Sequence, residues 1–128
     1  MAGFTFDHLH LRSPNPEAAA RFYVEMLGAE VTGHATTPAG LRVLMSLGGI
    51  TMFIEQVPAG TPAAPPSPYI GNEHIGLKVE NIHAVVAAMK AKGAHFSMEP
   101  NSPRPGITIA FVDAPDGIRV ELLERAAA

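Results

Sequence analysis

Cysteine is absent from the 128 residues, so disulfides, thiolate ligands and a cysteine nucleophile are all excluded. Any chemistry must come from imidazoles, carboxylates and hydroxyls. Basic runs are missing too: nine Lys and Arg are scattered through a chain of net charge −3, which leaves no footprint for nucleic acid. No stretch approaches the ~18 consecutive apolar residues of a membrane span, and Met1-Ala2-Gly3-Phe4 has neither the charged nor the apolar region of a secretory leader. These absences point to a soluble, cytoplasmic protein. A chain of this length is one domain by prior and buries enough surface to fold without a staple.

What is present is a repeat. At an offset of 66, His8-Leu9-His10-Leu11-Arg12 lies over His74-Ile75-Gly76-Leu77-Lys78, Asn15 over Asn81, and Ile54-Glu55 over Val120-Glu121. Gly28-Ala29 meets Gly93-Ala94 at 65, a slip that a loop tolerates. The interval from His8 to Glu55 and that from His74 to Glu121 are both 47 residues.

Period-two alternation over Phe4 to Arg12 predicts a strand with Leu9 and Leu11 on a packed face and His8 and His10 on the other. Asn15 then caps a helix started by Pro16, with Ala19, Phe22, Tyr23, Met26 and Leu27 as its apolar stripe and Gly28 as its left-handed exit. Strands are expected near 30–34, 41–47 and 50–56, the last two joined at Gly48-Gly49. Five prolines between Pro58 and Pro68 mark a stiff connector. The order then repeats: a strand at 72–79, a helix capped by Asn81 with stripe Ile82, Val85, Val86 and Met89, strands near 94–98 and 106–112, an Asp116-Gly117 turn, and a strand at 118–124. The expected fold is α+β: a single domain over 1–128 of two tandem βαβββ modules, about 4–57 and 72–125, with helices on the outer face of curved mixed sheets.

On this pattern His8, Glu55, His74 and Glu121 all project from the uncovered faces. Two imidazoles and two carboxylates neutralise a divalent ion, suit Zn, Ni, Co, Mn or Fe(II), and leave positions open for a reactant. Such an ion held on two adjacent oxygens would ease removal of a neighbouring C–H proton, with Glu121 or Glu55 as the base. His10 shares a face with His8 and competes with it; the offset favours His8 as ligand and leaves His10 as a support behind the ligands or a substrate contact. Arg12 points to the same face, suited to a substrate carboxylate. His34, His83 and His95 read as surface or structural residues.

Asp7-His8-Leu9-His10-Leu11 before Arg21-Phe22-Tyr23 and Leu27-Gly28, together with His74-Ile75-Gly76-Leu77-Lys78-Val79 and Phe111-Val112-Asp113 through Asp116-Gly117 to Val120-Glu121-Leu122, resembles the vicinal oxygen chelate superfamily. That group includes glyoxalase I, methylmalonyl-CoA epimerase, extradiol dioxygenases and the fosfomycin and bleomycin resistance proteins. The resemblance spans nearly the whole chain. It implies a metal-dependent lyase or isomerase of glyoxalase I type with ligands His8, Glu55, His74 and Glu121, and a homodimer whose sites combine modules from two subunits. An acyl-CoA-type epimerase and a non-catalytic small-molecule binding or resistance protein are the alternatives. A fourth ligand at Glu55 counts against a dioxygenase. Arg12 matches a position that glyoxalases use on glutathione, whereas a second such polar position falls on Ala59.

Overall fold

A computed structural model describes residues 3–127; Met1, Ala2 and Ala128 lie outside it, including the first two residues of the N-terminal reading. The chain divides into two compact units, Met1–Pro62 and Ala63–Ala128. Unit 1 contains β1 (Leu9–Ser13), α1 (Pro16–Leu27), β2 (Glu30–Thr37), β3 (Gly40–Leu47) and β4 (Ile50–Gln56). Unit 2 contains β5 (His74–Lys78), α2 (Ile82–Ala91), β6 (Phe96–Arg104), β7 (Ile107–Asp113), a 3₁₀ turn (Pro115–Gly117) and β8 (Arg119–Arg125). Each is a βαβββ module with a four-stranded mixed sheet, ordered β1-β4-β3-β2 in the first and β5-β8-β7-β6 in the second. The first strand of each pairs parallel with the last, and all other pairs are antiparallel.

The first helix follows its sequence signals. Asn15 accepts from the Ala18 N–H at 3.2 Å, Pro16 opens the first turn, and Gly28 at φ 73° lets its own N–H and that of Ala29 return to the last carbonyls. Tyr23, Ala19 and Ala20 are buried against the sheet, while Phe22, Met26 and Leu27 are only half-buried. Against them stand Val43, Met45, Met52 and Ile54, the alternate residues of β3 and β4. Unit 2 repeats this with Ile82, Val86 and Met89 of α2 over Ala110, Val112, Val120 and Leu122. Helices cover one face of each sheet, so the residues between these core positions are left on the other.

Two expectations are corrected. Regular pairing starts at Leu9, so Phe4 to His8 lie outside the first strand; Phe4 and Phe6 are exposed and no ladder partner holds them. Asn81 does not cap α2: it sits at φ 55° and its side chain makes no capping bond. Glu124 on β8 does that work, accepting from the Asn81 and Ile82 N–H groups at 2.9 and 3.0 Å. A carboxylate on the positive end of a helix satisfies two orphan donors and the dipole together. Among the described residues no helix is long and apolar enough to cross a membrane.

Those two hydrogen bonds, Ile82 first and Asn81 second, hold the Glu124 carboxyl below its ordinary value of 4.5. A carboxylate with a depressed folded value contributes stability that is complete above the unfolded value and is lost as pH falls through the folded one. Glu124→Gln is therefore expected to unfold at lower denaturant than the parent at pH 7, with the gap closing on acidification below about pH 4.5. Ile54→Ala, which empties a site 1% exposed, is expected to cost about 2–5 kcal/mol in urea titrations.

Candidate functional site

The uncovered faces carry the site residues, and the parallel ladders decide which of them meet. In unit 1 His10 lies opposite Phe53 and Arg12 opposite Glu55; in unit 2 His74 lies opposite Arg119 and Gly76 opposite Glu121. Each glutamate is thus diagonal to an imidazole on the neighbouring strand, within reach of a long side chain. His10 Nε2 is 3.4 Å from Glu55 Oε1, and His74 Nε2 is 3.3 Å from Glu121 Oε1.

His8 is placed elsewhere. It makes no ion-pair contact with Glu55; its Nδ1 lies 2.6 Å from Asp7 Oδ2 and its ring stacks on Phe53 at 4.2 Å. Two frames therefore disagree on which histidine matches His74. Counted to the residue before each helix, His8 and His74 both stand seven before an asparagine, Asn15 or Asn81. Counted across the sheet, His10 and His74 both face the residue two before the glutamate, which makes the offset 64 on the first strand and 66 on the last. Two residues of strand amount to roughly 6.6 Å. The imidazole–carboxylate pair of unit 1 accordingly sits one pleat repeat nearer its helix than that of unit 2.

The surroundings of the two glutamates also differ. Arg42 on β3 donates Nε and Nη2 to Glu55 Oε1 at 2.9 and 2.5 Å, and Arg12 donates to Oε2 at 3.4 Å. The Arg42 hydrogen bonds, with the charges of Arg42 and Arg12 behind them, hold the Glu55 carboxyl below the ordinary carboxylate range. Burial, joined by the charge of Arg12, pushes the His10 imidazole down and keeps it neutral; its Nε2 is a buried atom with no hydrogen-bond partner.

In unit 2 the arginine and the aromatic ring have changed places. Phe111 on β7 faces Glu121 where Arg42 faces Glu55, and Arg119 stands two before Glu121 where Phe53 stands two before Glu55. Each guanidinium lies over the ring of its own unit, Arg42 over Phe53 at 5.6 Å and Arg119 over Phe111 at 4.0 Å. Arg119 is turned away from Glu121 and bonded to both oxygens of Glu73, at 2.8 and 2.7 Å. Glu121 consequently keeps an imidazole contact and no guanidinium, and a glycine, Gly76, stands where unit 1 has Arg12.

These donors suit a divalent ion in kind, neutral imidazole nitrogen with carboxylate oxygen. Among the described residues no three of His, Asp or Glu gather closely enough to hold one; each unit brings together one imidazole and one carboxylate. Arg42 and Arg12 both bond Glu55, whereas the cations beside Glu121, Lys78 and Arg125, line the same pocket and, among the described residues, form no ion pair with it. The sequence reading did not single out Arg42, Phe53, Glu73 or Arg119. A signal for Glu73 existed, since an acidic residue directly precedes the histidine at Asp7-His8 and again at Glu73-His74.

Residues 5–122 match the profile of the Glyoxalase/Bleomycin resistance protein/Dioxygenase superfamily. A probable lactoylglutathione lyase of Synechocystis sp. is 30% identical over 121 residues, 91% of this chain and 92% of that protein. A probable chloroplastic lactoylglutathione lyase of Arabidopsis thaliana is 45% identical over 56 residues, 43% of this chain but only 16% of the plant protein's length. The crystal structure of a glyoxalase family protein from Enterococcus faecalis superposes with a TM-score of 0.81 at 29% identity, covering 97% of this chain and all of that one. With the profile match spanning both βαβββ units and a full-length relative beside it, the chain belongs to the Glyoxalase/Bleomycin resistance protein/Dioxygenase superfamily.

Proposed function

We propose that the chain is a divalent-metal-dependent lyase or isomerase of glyoxalase I type, acting on the adduct of a 2-oxoaldehyde and a thiol. The observation that carries this reading is the imidazole Nε2 within 3.4 Å of a glutamate oxygen on the uncovered face of each unit. The names of the Synechocystis and Arabidopsis relatives support it. The ligands we propose are His74 and Glu121 with Glu55 and one histidine of β1 or its approach. His10 holds that place in the sheet frame and His8 in the helix frame; the neutral, unpartnered Nε2 of His10 favours His10. Two subunits would each lend one half of the set, and exposed Phe4, Phe6 and Ile70 supply apolar surface for such a homodimer.

A bound divalent ion of the Zn, Ni, Co or Mn type supplies Lewis acidity to two neighbouring substrate oxygens. The residues divide the rest of the work. Glu121 is the base, because no guanidinium neutralises it and it can take a proton from one substrate carbon and return it to the next, with no net redox change. Glu55 is held by Arg42 and Arg12 and is a weaker base for that reason. Arg12, more than half exposed on the same face, would receive a substrate carboxylate.

Metal analysis of the purified chain is expected to give about one ion per subunit, and a screen of methylglyoxal with several thiols is expected to show thioester formation. Glu121→Gln is expected to reduce kcat at least 100-fold with an unchanged unfolding midpoint, and Glu55→Gln less so. Full activity in metal-stripped protein would refute the reading. The Arg42–Glu55 bond favours one competitor, a metal-free binding protein whose stacked His8 and Phe53 receive an aromatic ligand. Arg42→Ala separates the two: it is expected to tighten metal binding by freeing Glu55, whereas in a binding protein metal affinity stays negligible and only ligand protection changes.

A further inference from the structure

We infer that Glu73 is a positioning residue that fixes the protonation pattern of His74, with Arg119 as its anchor. This rests on the reading of His74 as a ligand and extends it to the residue before it. Neutral imidazole carries one proton on either ring nitrogen, and only the bare nitrogen can donate a lone pair. Glu73 Oε1 lies 2.7 Å from His74 Nδ1, while the opposite nitrogen, Nε2, faces Glu121. Both ring nitrogens thus face an acceptor, and the hydrogen bond at 2.7 Å, against the 3.3 Å contact on the other side, puts the single proton on Nδ1 and leaves the lone pair on Nε2 for a cation shared with Glu121.

The carboxylate is itself immobilised. Both of its oxygens accept from Arg119 Nη1, and Ser67 bonds to the same carboxylate and to Arg119 at 3.1 Å. Arg119 in turn holds its guanidinium carbon 4.0 Å from the centre of the Phe111 ring, and that ring meets His74 edge-on at 5.0 Å. A glutamate paired with a guanidinium is ionised at neutral pH, so Glu73 is an acceptor there. Four side chains, Glu73, Ser67, Arg119 and Phe111, thus orient one imidazole, and the last strand supplies both the anchor, Arg119, and the base, Glu121. Unit 1 has the simpler half of this device in Asp7, 2.6 Å from His8 Nδ1, with no arginine behind it.

The test uses the full-length, ¹⁵N-labelled, metal-free chain at a pH where imidazole is neutral. Long-range ¹H–¹⁵N correlation is expected to show His74 protonated at Nδ1, against the Nε2-protonated form that free histidine prefers. Glu73→Ala is expected to return His74 to the Nε2-protonated form and to weaken Zn²⁺ binding, measured against a competing chelator, by about 10–100-fold. Glu73→Gln keeps an acceptor oxygen and is expected to keep the Nδ1 proton, a rescue that a merely structural role does not predict. Wild-type His74 protonated at Nε2 would overturn the proposal without any variant, as would a Glu73→Ala protein with unchanged protonation. A wild-type chain that shows the Nδ1 proton yet binds no Zn²⁺ supports the positioning role and refutes the metal reading.

Discussion

Parallel pairing of the first strand of each module with its last is the constraint on which the site depends. A βαβββ chain puts these two strands side by side only because the helix carries the chain across one sheet face and the hairpins bring it back. That arrangement sets a histidine diagonal to a glutamate in each half, on the face the helix does not cover. Hydrophobic burial of Tyr23 and Ile54, or of Met89 and Leu122, therefore does more than stabilise: it fixes the height at which imidazole meets carboxylate.

The two halves keep this geometry while distributing charge differently. An arginine and a phenylalanine flank each glutamate, but exchanged between the adjacent strand and the same strand. Where the arginine sits on the adjacent strand, as Arg42, it falls on the glutamate and quenches it. Where it sits two residues back, as Arg119, it is drawn off by Glu73 and leaves Glu121 open. The same residue types thus give one carboxylate bonded by two guanidinium groups and one in contact with an imidazole.

Much of the architecture was legible in the chain. Asn15-Pro16 and Gly28 bound the first helix because capping and left-handed exit are local chemistry, and alternation at 118–124 marked Glu121 as lying off the core. Asn81 misled, because its cap comes from Glu124, 43 residues later, and no local pattern encodes a partner that distant. The first strand was read too long, since Phe4 and Phe6 alternate like strand residues but have no neighbour to pair with.

The choice between His8 and His10 shows where sequence reasoning stops. A slip of one residue turns every side chain to the other face and is visible in the hydrophobic pattern; a slip of two keeps every side chain on its face and leaves no trace in it. The sequence by itself determined the repeat, the residue types of the site and the face they occupy, because those follow from period and local turn chemistry. Only the tertiary structure decided that His10 stands beside Glu55, that Arg42 neutralises it and that Glu73 orients His74, because strand register and partners from distant strands are settled by packing across the sheet.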